Sequence, residues 1–277
     1  MRTVGEMLRQ WRHRRRLSQL DLAIAADVSA RHVSLVETGK SNPSADMILR
    51  LAEHLDVPLR ERNRLLLAAG FAPRYAERPL AGDALSTAGD AVARVLRAHE
   101  PYPAVVLDRR WNIVMTNRAI DAFLGDVAPD LLRPPINILR LGLERRGLAS
   151  RIVNLREVRA VLRARISRQL AIAPDAELHA IYEELLAPSS AEPLAPSSGG
   201  AFAEGSEEAG RSMESEVTVP MIFRFGDVEL RLFSTTTTFG TPMDITLDEI
   251  SIESYYPADA ETAAYFVKFG ADVLAGE

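Results

Sequence analysis

Five helix-start signals stand about 11 to 15 residues apart over the first seventy positions, and no other feature of the chain limits its fold so tightly. Thr3, Ser18, Ser29 and Ser44 are capping residues placed ahead of apolar positions, and Pro58 sits where a helix-starting proline belongs, before Leu65 and Leu66. Val4, Leu8 and Trp11 follow Thr3 at helical spacing. Leu22 and Ala25 follow Ser18, and Ile48, Leu51 and Leu55 follow Ser44. Gly70 ends the fifth helix. Starts this frequent exclude the long heptads of a coiled coil and predict a compact all-α domain of five short helices.

The chain then changes character. Residues 73–86, with two prolines and a glycine, read as a connector, and a helix is expected around Thr87–His99. AVVLDRRWNIVMTN is two apolar runs split by Asp108-Arg109-Arg110, a hairpin pattern, and Asn117 is expected to cap a helix running through Phe123. Residues 130–186 read as helical, with Val158, Val161, Leu162 and Ile166 on one stripe. In 187–215, 20 of 29 residues are Ala, Pro, Ser or Gly and five are Glu, so a flexible insertion is expected there. VTVPMIFRF, VELRLFSTTTTF and ITLDEISIESYY alternate and are β-branched, which predicts a three-strand meander, closed by a helix over Ala260–Leu274. Helices first and strands grouped later predict an all-α domain followed by an α+β domain with an antiparallel sheet.

Composition narrows the function. The 277 residues contain no cysteine, and the five histidines are scattered, so no metal site is expected. No apolar run approaches a bilayer span, and the N-terminal MRTVGEMLRQ has no apolar core of a signal peptide; a cytoplasmic location without membrane insertion is expected. The net charge of −5 is uneven: residues 1–80 carry 14 basic against 9 acidic groups (+5), and the remainder 19 against 29 (−10). A polyanion partner is therefore expected for the first part alone. There is no G-x-G-x-x-G, P-loop, G-x-S-x-G or H-E-x-x-H, so no catalytic residues, no enzyme activity and no cofactor are expected.

The segment SQLDLAIAADVSARHVSLVETGKSNPS carries the chemistry. Ala23 and Ala26 are small where two helices approach, and Asp27-Val28 forces a sharp turn with Val28 as an apolar plug. Ser29 caps the next helix and directs its free amides outward. Val33 and Val36 share an inner face, which turns Ala30, Arg31, Ser34 and Leu35 outward. This segment resembles the helix-turn-helix of the Xre/phage-repressor family, on Ser18-Gln19, Leu22-Ala23, Val28-Ser29, Val33-Ser34, Glu37, Gly39 and Pro43-Ser44. The resemblance implies double-stranded DNA as partner. Arg31 suits bidentate bonding to guanine, Leu35 and Ala30 a thymine methyl, and His32 and Ser34 bases or phosphates. It further implies phosphate contacts from Gln19 and from Lys40, Ser41 and Asn42 in the following loop, and a structural ion pair between Arg12 and Glu37.

Over nearly the whole chain a narrower resemblance holds. LSQLDLA, VSARHVSLVETG, ERNRLLLAAGFAP, HEPYPAVVLDRRWNIVMTN and FSTTTTFGTPMDITLDEISIESYYPAD are similar to the MmyB-like transcription regulators. That implies a helix-turn-helix domain over 1–72, the connector 73–86, and a PAS-like domain over 87–277 that contains the 187–215 insertion and takes a small hydrophobic ligand, with a fatty acid as one suggestion. A mixed face of Phe233, Thr235, Thr237 and Phe239 suits a ligand with an apolar body and a polar end. Trp111, Asn117, Asn137 and Arg140 lie in matching segments as further pocket candidates, Arg140 facing either a ligand carboxylate or an internal salt bridge. One recognition helix reads few base pairs, so a homodimer on a pseudo-palindrome is expected. The alternative is a DNA-binding regulator whose C-terminal domain serves only dimerisation or a protein partner.

Overall fold

The computed structural model describes residues 2–80, 82–187 and 219–275, and two units emerge: Met1–Val92 with Thr238–Ile250, and Ala93–Thr237 with Ser251–Glu277. The expected 187–215 insertion lies, apart from Ala187, outside the described residues. The first unit opens with α1 (Val4–Arg14), α2 (Gln19–Ala25), α3 (Ala30–Glu37), α4 (Ala45–His54) and α5 (Leu59–Ala68). Thr3, Ser18, Ser29 and Ser44 are their N-caps in chain order, each accepting a backbone amide. Thr3 with Glu6 and Ser18 with Asp21 form reciprocal capping boxes. Pro58 precedes α5 and supplies no side-chain cap.

All five helices stop in the same way. Arg16, Asp27, Gly39, Asp56 and Gly70 take positive φ just beyond α1 to α5. The next residue in each case returns its amide to a carbonyl five positions back: Leu17 to Arg12, Val28 to Ala23, Lys40 to Leu35, Val57 to Ala52 and Phe71 to Leu66. Leu17, Val28 and Val57 then pack on the core formed by Leu8, Trp11, Leu22, Val33, Ile48, Leu51 and Leu65. Lys40 and Phe71 break this pattern, both exposed, and Lys40 is charged. Gly5 marks the close approach of α1 and α3, since a β-carbon there would collide with the Val36 carbonyl.

The same unit takes in a segment from far along the chain. Residues 238–250 contain α11 (Ile245–Glu249), capped by Asp244 on the Thr246 amide at 2.9 Å. ITLDE was expected to begin a strand, and it is helical: the Asp244 cap and the Asp248 and Glu249 contacts outweigh its β-branched pattern. Asp248 accepts from the Leu59 amide at 2.9 Å, which gives α5 the cap that Pro58 cannot. Glu249 pairs with Arg60 at 2.6 Å, and Arg60 also binds Glu77. Asn63 holds the Arg74 and Tyr75 amides, Ala76 bridges Asp244, and Thr246 reaches the Arg78 carbonyl at 2.6 Å, so much of the expected connector is tied into the unit.

α6 (Ser86–Ala98) leads into the second unit, a five-stranded antiparallel sheet with helices. Its strands are β1 (Ala104–Leu107), β2 (Ile113–Thr116), β3 (Met221–Phe225), β4 (Val228–Thr237) and β5 (Ser251–Pro257), in the order β2-β1-β5-β4-β3. The expected hairpin and meander are joined by one pairing, β1 with β5, which sets Val106 opposite Ile252. The helices are α7 (Asp121–Leu124), α8 (Ile138–Leu143), α9 (Leu155–Ile172), α10 (Ala176–Leu185) and α12 (Ala260–Ala275). Residues 130–137 and 144–154, expected as helix, form turns and bends instead. On α9, Val158 and Ile166 are buried while Val161 is exposed. Asn117 does not cap with its side chain: the buried amide accepts from the Ala104 amide and donates to the Leu96 and Tyr102 carbonyls, fixing the start of β1.

Candidate DNA-reading face and candidate ligand cavity

α3 is clamped from behind. Val33 and Val36 are buried in the helical core, and Glu37, also buried, accepts two bonds from Arg12 at 2.7 and 2.8 Å and one from Gln19 at 2.9 Å. Arg12 also donates to the Leu17 carbonyl at 2.7 Å. Burial pushes the Glu37 carboxyl up, but the bonds from Arg12 and Gln19 and the Arg12 charge outweigh it, so the group stays below the usual carboxylate range. Arg15, within the basic run 14–16, donates to the Leu55 and Asp56 carbonyls, while Arg14 lies 4.9 Å over the Trp11 ring. With the back of α3 fixed, its other face is left to solvent. Arg31 is exposed, and His32, Ser34 and Leu35 are half-buried along the same helix. Ala30, expected to face outward, is half-buried and packs partly against the core. Ser29 spends its hydroxyl on the His32 amide at 3.1 Å. Lys40 and Asn42 are exposed and Ser41 half-buried in the loop that follows. Gln19 stands at the first position of α2 with its amide held by Glu37.

The second unit holds an apolar cavity of about 100 Å³. Val105, Ile113, Phe223, Leu232 and Tyr255 line it from the sheet, and Leu139, Leu143, Val158 and Leu162 from α8 and α9. Glu253 is the only charged group among its described lining residues. That carboxylate is buried and accepts from Arg165 at 3.1 and 3.3 Å and from Ser234 at 2.9 Å. Arg165 also donates to Thr236 at 3.0 Å and lies 4.5 Å over the Trp111 ring. Trp111 lines the cavity from the β1–β2 turn with φ of 68°, a strained value for a tryptophan. The Gln169 side chain holds the strained turn, accepting from the indole N–H at 3.0 Å and donating to the Arg109 carbonyl at 2.6 Å. A second hollow of about 380 Å³ lies between Glu100–Pro101 and the Val267–Ala271 stretch, but Val267 is 58% exposed, so that hollow opens on the surface.

A helix-turn-helix domain model matches residues 3–65. The ligand binding domain of the MmyB-like transcription regulators matches residues 88–267, well over half of the chain. The chain belongs to that family. A search of curated proteins returned no match. This MmyB-like regulator is therefore a transcription regulator with a DNA-binding helix-turn-helix unit and a ligand-binding-family domain. Among its described residues no helix is long and apolar enough to cross a membrane.

In this MmyB-like regulator Trp111 alone of the eight expected pocket residues lines this cavity. Asn137 caps α8 through the Leu139 and Arg140 amides and donates to Arg110 and Asn112. Arg140 pairs with Glu184 at 2.6 Å and Glu144 at 3.3 Å, an internal ion pair that spans α8 and α10. Phe233 stacks on Tyr256 at 5.4 Å, Thr235 and Thr237 are exposed, and Phe239 lies in the 238–250 segment of the first unit. The opposite face of β4 is the one that faces the cavity at Leu232 and binds Glu253 through Ser234, while Thr236 on the same face is exposed and binds Arg165. The period of two was legible, but it names two faces and cannot choose between them. Glu253 and Tyr255 carry a weaker signal in the sequence, an acid two residues from a tyrosine inside a strand-like run.

Proposed function

We propose that this MmyB-like regulator is an Xre-type, ligand-responsive regulator that binds DNA as a homodimer on a pseudo-palindrome. Its α3 enters the major groove of each half-site, with the two half-sites about one helical turn, ~34–36 Å, apart. The observation that carries the DNA reading is the clamped back of α3 set against its exposed Arg31 and the exposed Lys40 at its end. Arg31 reads a guanine edge, Ser34 and Leu35 neighbouring bases, and Gln19, Lys40, Ser41 and Asn42 the phosphates. The apolar cavity supports a small hydrophobic ligand. The chain itself offers a coupling route. β4 and β5 carry the cavity residues Leu232, Glu253 and Tyr255, and the segment that joins these strands belongs to the first unit, where Asp248 caps α5. A ligand that prefers one arrangement of that segment shifts DNA affinity by the differential binding, typically ~1–3 kcal/mol. Footprinting across genomic fragments, followed by gel shifts with and without a lipid panel, tests the proposal. Protection of a single half-site by a monomer, or operator affinity unchanged by every lipid, would refute it.

A further inference from the structure

The chemistry at the polar end of the cavity is specific enough to select a head group. We infer that the ligand carries an uncharged hydroxyl there, accepting from the Tyr255 phenol and donating to the Glu253 carboxylate, and that an ionised carboxylate is disfavoured. The inference rests on the reading of this cavity as a ligand site. Glu253 and Tyr255 stand two residues apart on β5, so their side chains leave the same face of the strand, and both line the cavity.

Each of the two groups is left with one function to offer. The Glu253 carboxylate takes its shorter bonds, from Ser234 and Arg165, on Oε1, while Oε2 takes only the 3.3 Å bond from Arg165, which leaves acceptor capacity on that oxygen. Burial, reinforced by the Glu253 charge and opposed by Arg165, pushes the Tyr255 phenol well above its usual range, so it remains a donor. No described residue hydrogen-bonds the Tyr255 hydroxyl. An alcohol oxygen accepts from one such group and donates to the other, which completes both.

A carboxylate can only accept, and it brings a second negative charge beside Glu253. The neighbouring cation is already committed: Arg165 is divided between Glu253, Thr236 and the Trp111 ring. Two like charges beside an apolar cavity disfavour each other's ionised form. The volume has room for several methylene-sized groups, so a short chain is a suitable probe.

The test titrates octan-1-ol and sodium octanoate, near neutral pH, into the full chain by calorimetry. Octan-1-ol is expected to bind at least about tenfold more tightly than octanoate. Tyr255→Phe should cost octan-1-ol about fivefold. Glu253→Gln, which releases Arg165 from its carboxylate, should narrow the gap between the two ligands. Octanoate binding as tightly as the alcohol in the wild type overturns the inference without any variant needing to fold. So does Tyr255→Phe with undiminished affinity for the alcohol. If neither probe binds, the ligand-site reading of the cavity fails and the inference falls with it, a distinct result.

Discussion

Arg12 in the helical unit and Arg165 in the sheet unit both hold a buried glutamate, and the two settings differ. Around Arg12–Glu37 the remaining partners are Gln19, the Leu17 carbonyl and the His13 ring, so the pair is closed and fixes α1 and α2 against α3. Around Arg165–Glu253 the partners are Ser234 and Thr236, and the carboxylate borders a cavity beside the Tyr255 hydroxyl, which no described residue hydrogen-bonds. A closed pair is structural: it makes one face of a helix rigid so that the other can be presented. A pair left open on one side is available for binding. The same side-chain chemistry thus serves opposite ends, and the number of partners already in place decides which.

The largest expected effect tests the closed pair. Arg12→Ala leaves Glu37 buried without its cation and should destabilise the helical unit by about 3–5 kcal/mol, read as an early unfolding transition in urea together with lost operator binding. Should both units lose stability alike, the pair is not confined to its own unit. Acid gives a second view of it. The folded Glu37 has a depressed pKa, so the folded unit binds fewer protons than the unfolded chain. Its stabilisation is present above the ordinary glutamate range and is lost as pH falls through the lower folded value. Glu37→Gln should flatten that acid limb.

Leu232→Ala comes next. It enlarges the cavity beneath β4 and should cost the sheet unit about 2–5 kcal/mol while leaving affinity for a fixed operator unchanged in the absence of ligand. Retained melting temperature would mean the wall collapses onto the space. Arg31→Ala should lose about 1–3 kcal/mol of binding and relax preference at one base pair, measured against an operator library. A uniform loss over all sequences would move Arg31 to the phosphates. Asp248→Ala removes the remote cap from α5 and should lower the stability of the helical unit by about 1 kcal/mol in chemical denaturation. No change there would show α5 to be self-sufficient. The smallest effect is Lys40→Ala, which should weaken all sequences alike and reduce the slope of log affinity against log salt by about one unit.

How far the sequence could be read follows the same division. Caps and stops act within a few residues, so Thr3, Ser18, Ser29 and Ser44 were legible one by one, and Val33 and Val36 identified the inner face of α3. The Arg12–Glu37 pair came from the resemblance, because nothing local links positions so far apart. Strands were legible as strands where alternation was clean, and ITLDE misled because its β-branched residues are overruled by a cap and by contacts to α5.

By itself, then, the sequence determined the five helices, their ends and the outward placing of Arg31, because hydrogen bonds between near neighbours and a 3.6-residue period decide them. Only the tertiary structure decided that β5 inserts between β1 and β4, that Leu232 rather than Phe233 lines the cavity, that Asp248 caps a helix near the other end of the chain, and that Glu253 and Tyr255 meet beside Arg165. Each of these depends on pairing residues distant in sequence. A strand's two faces look alike until the partner that buries one of them is in place.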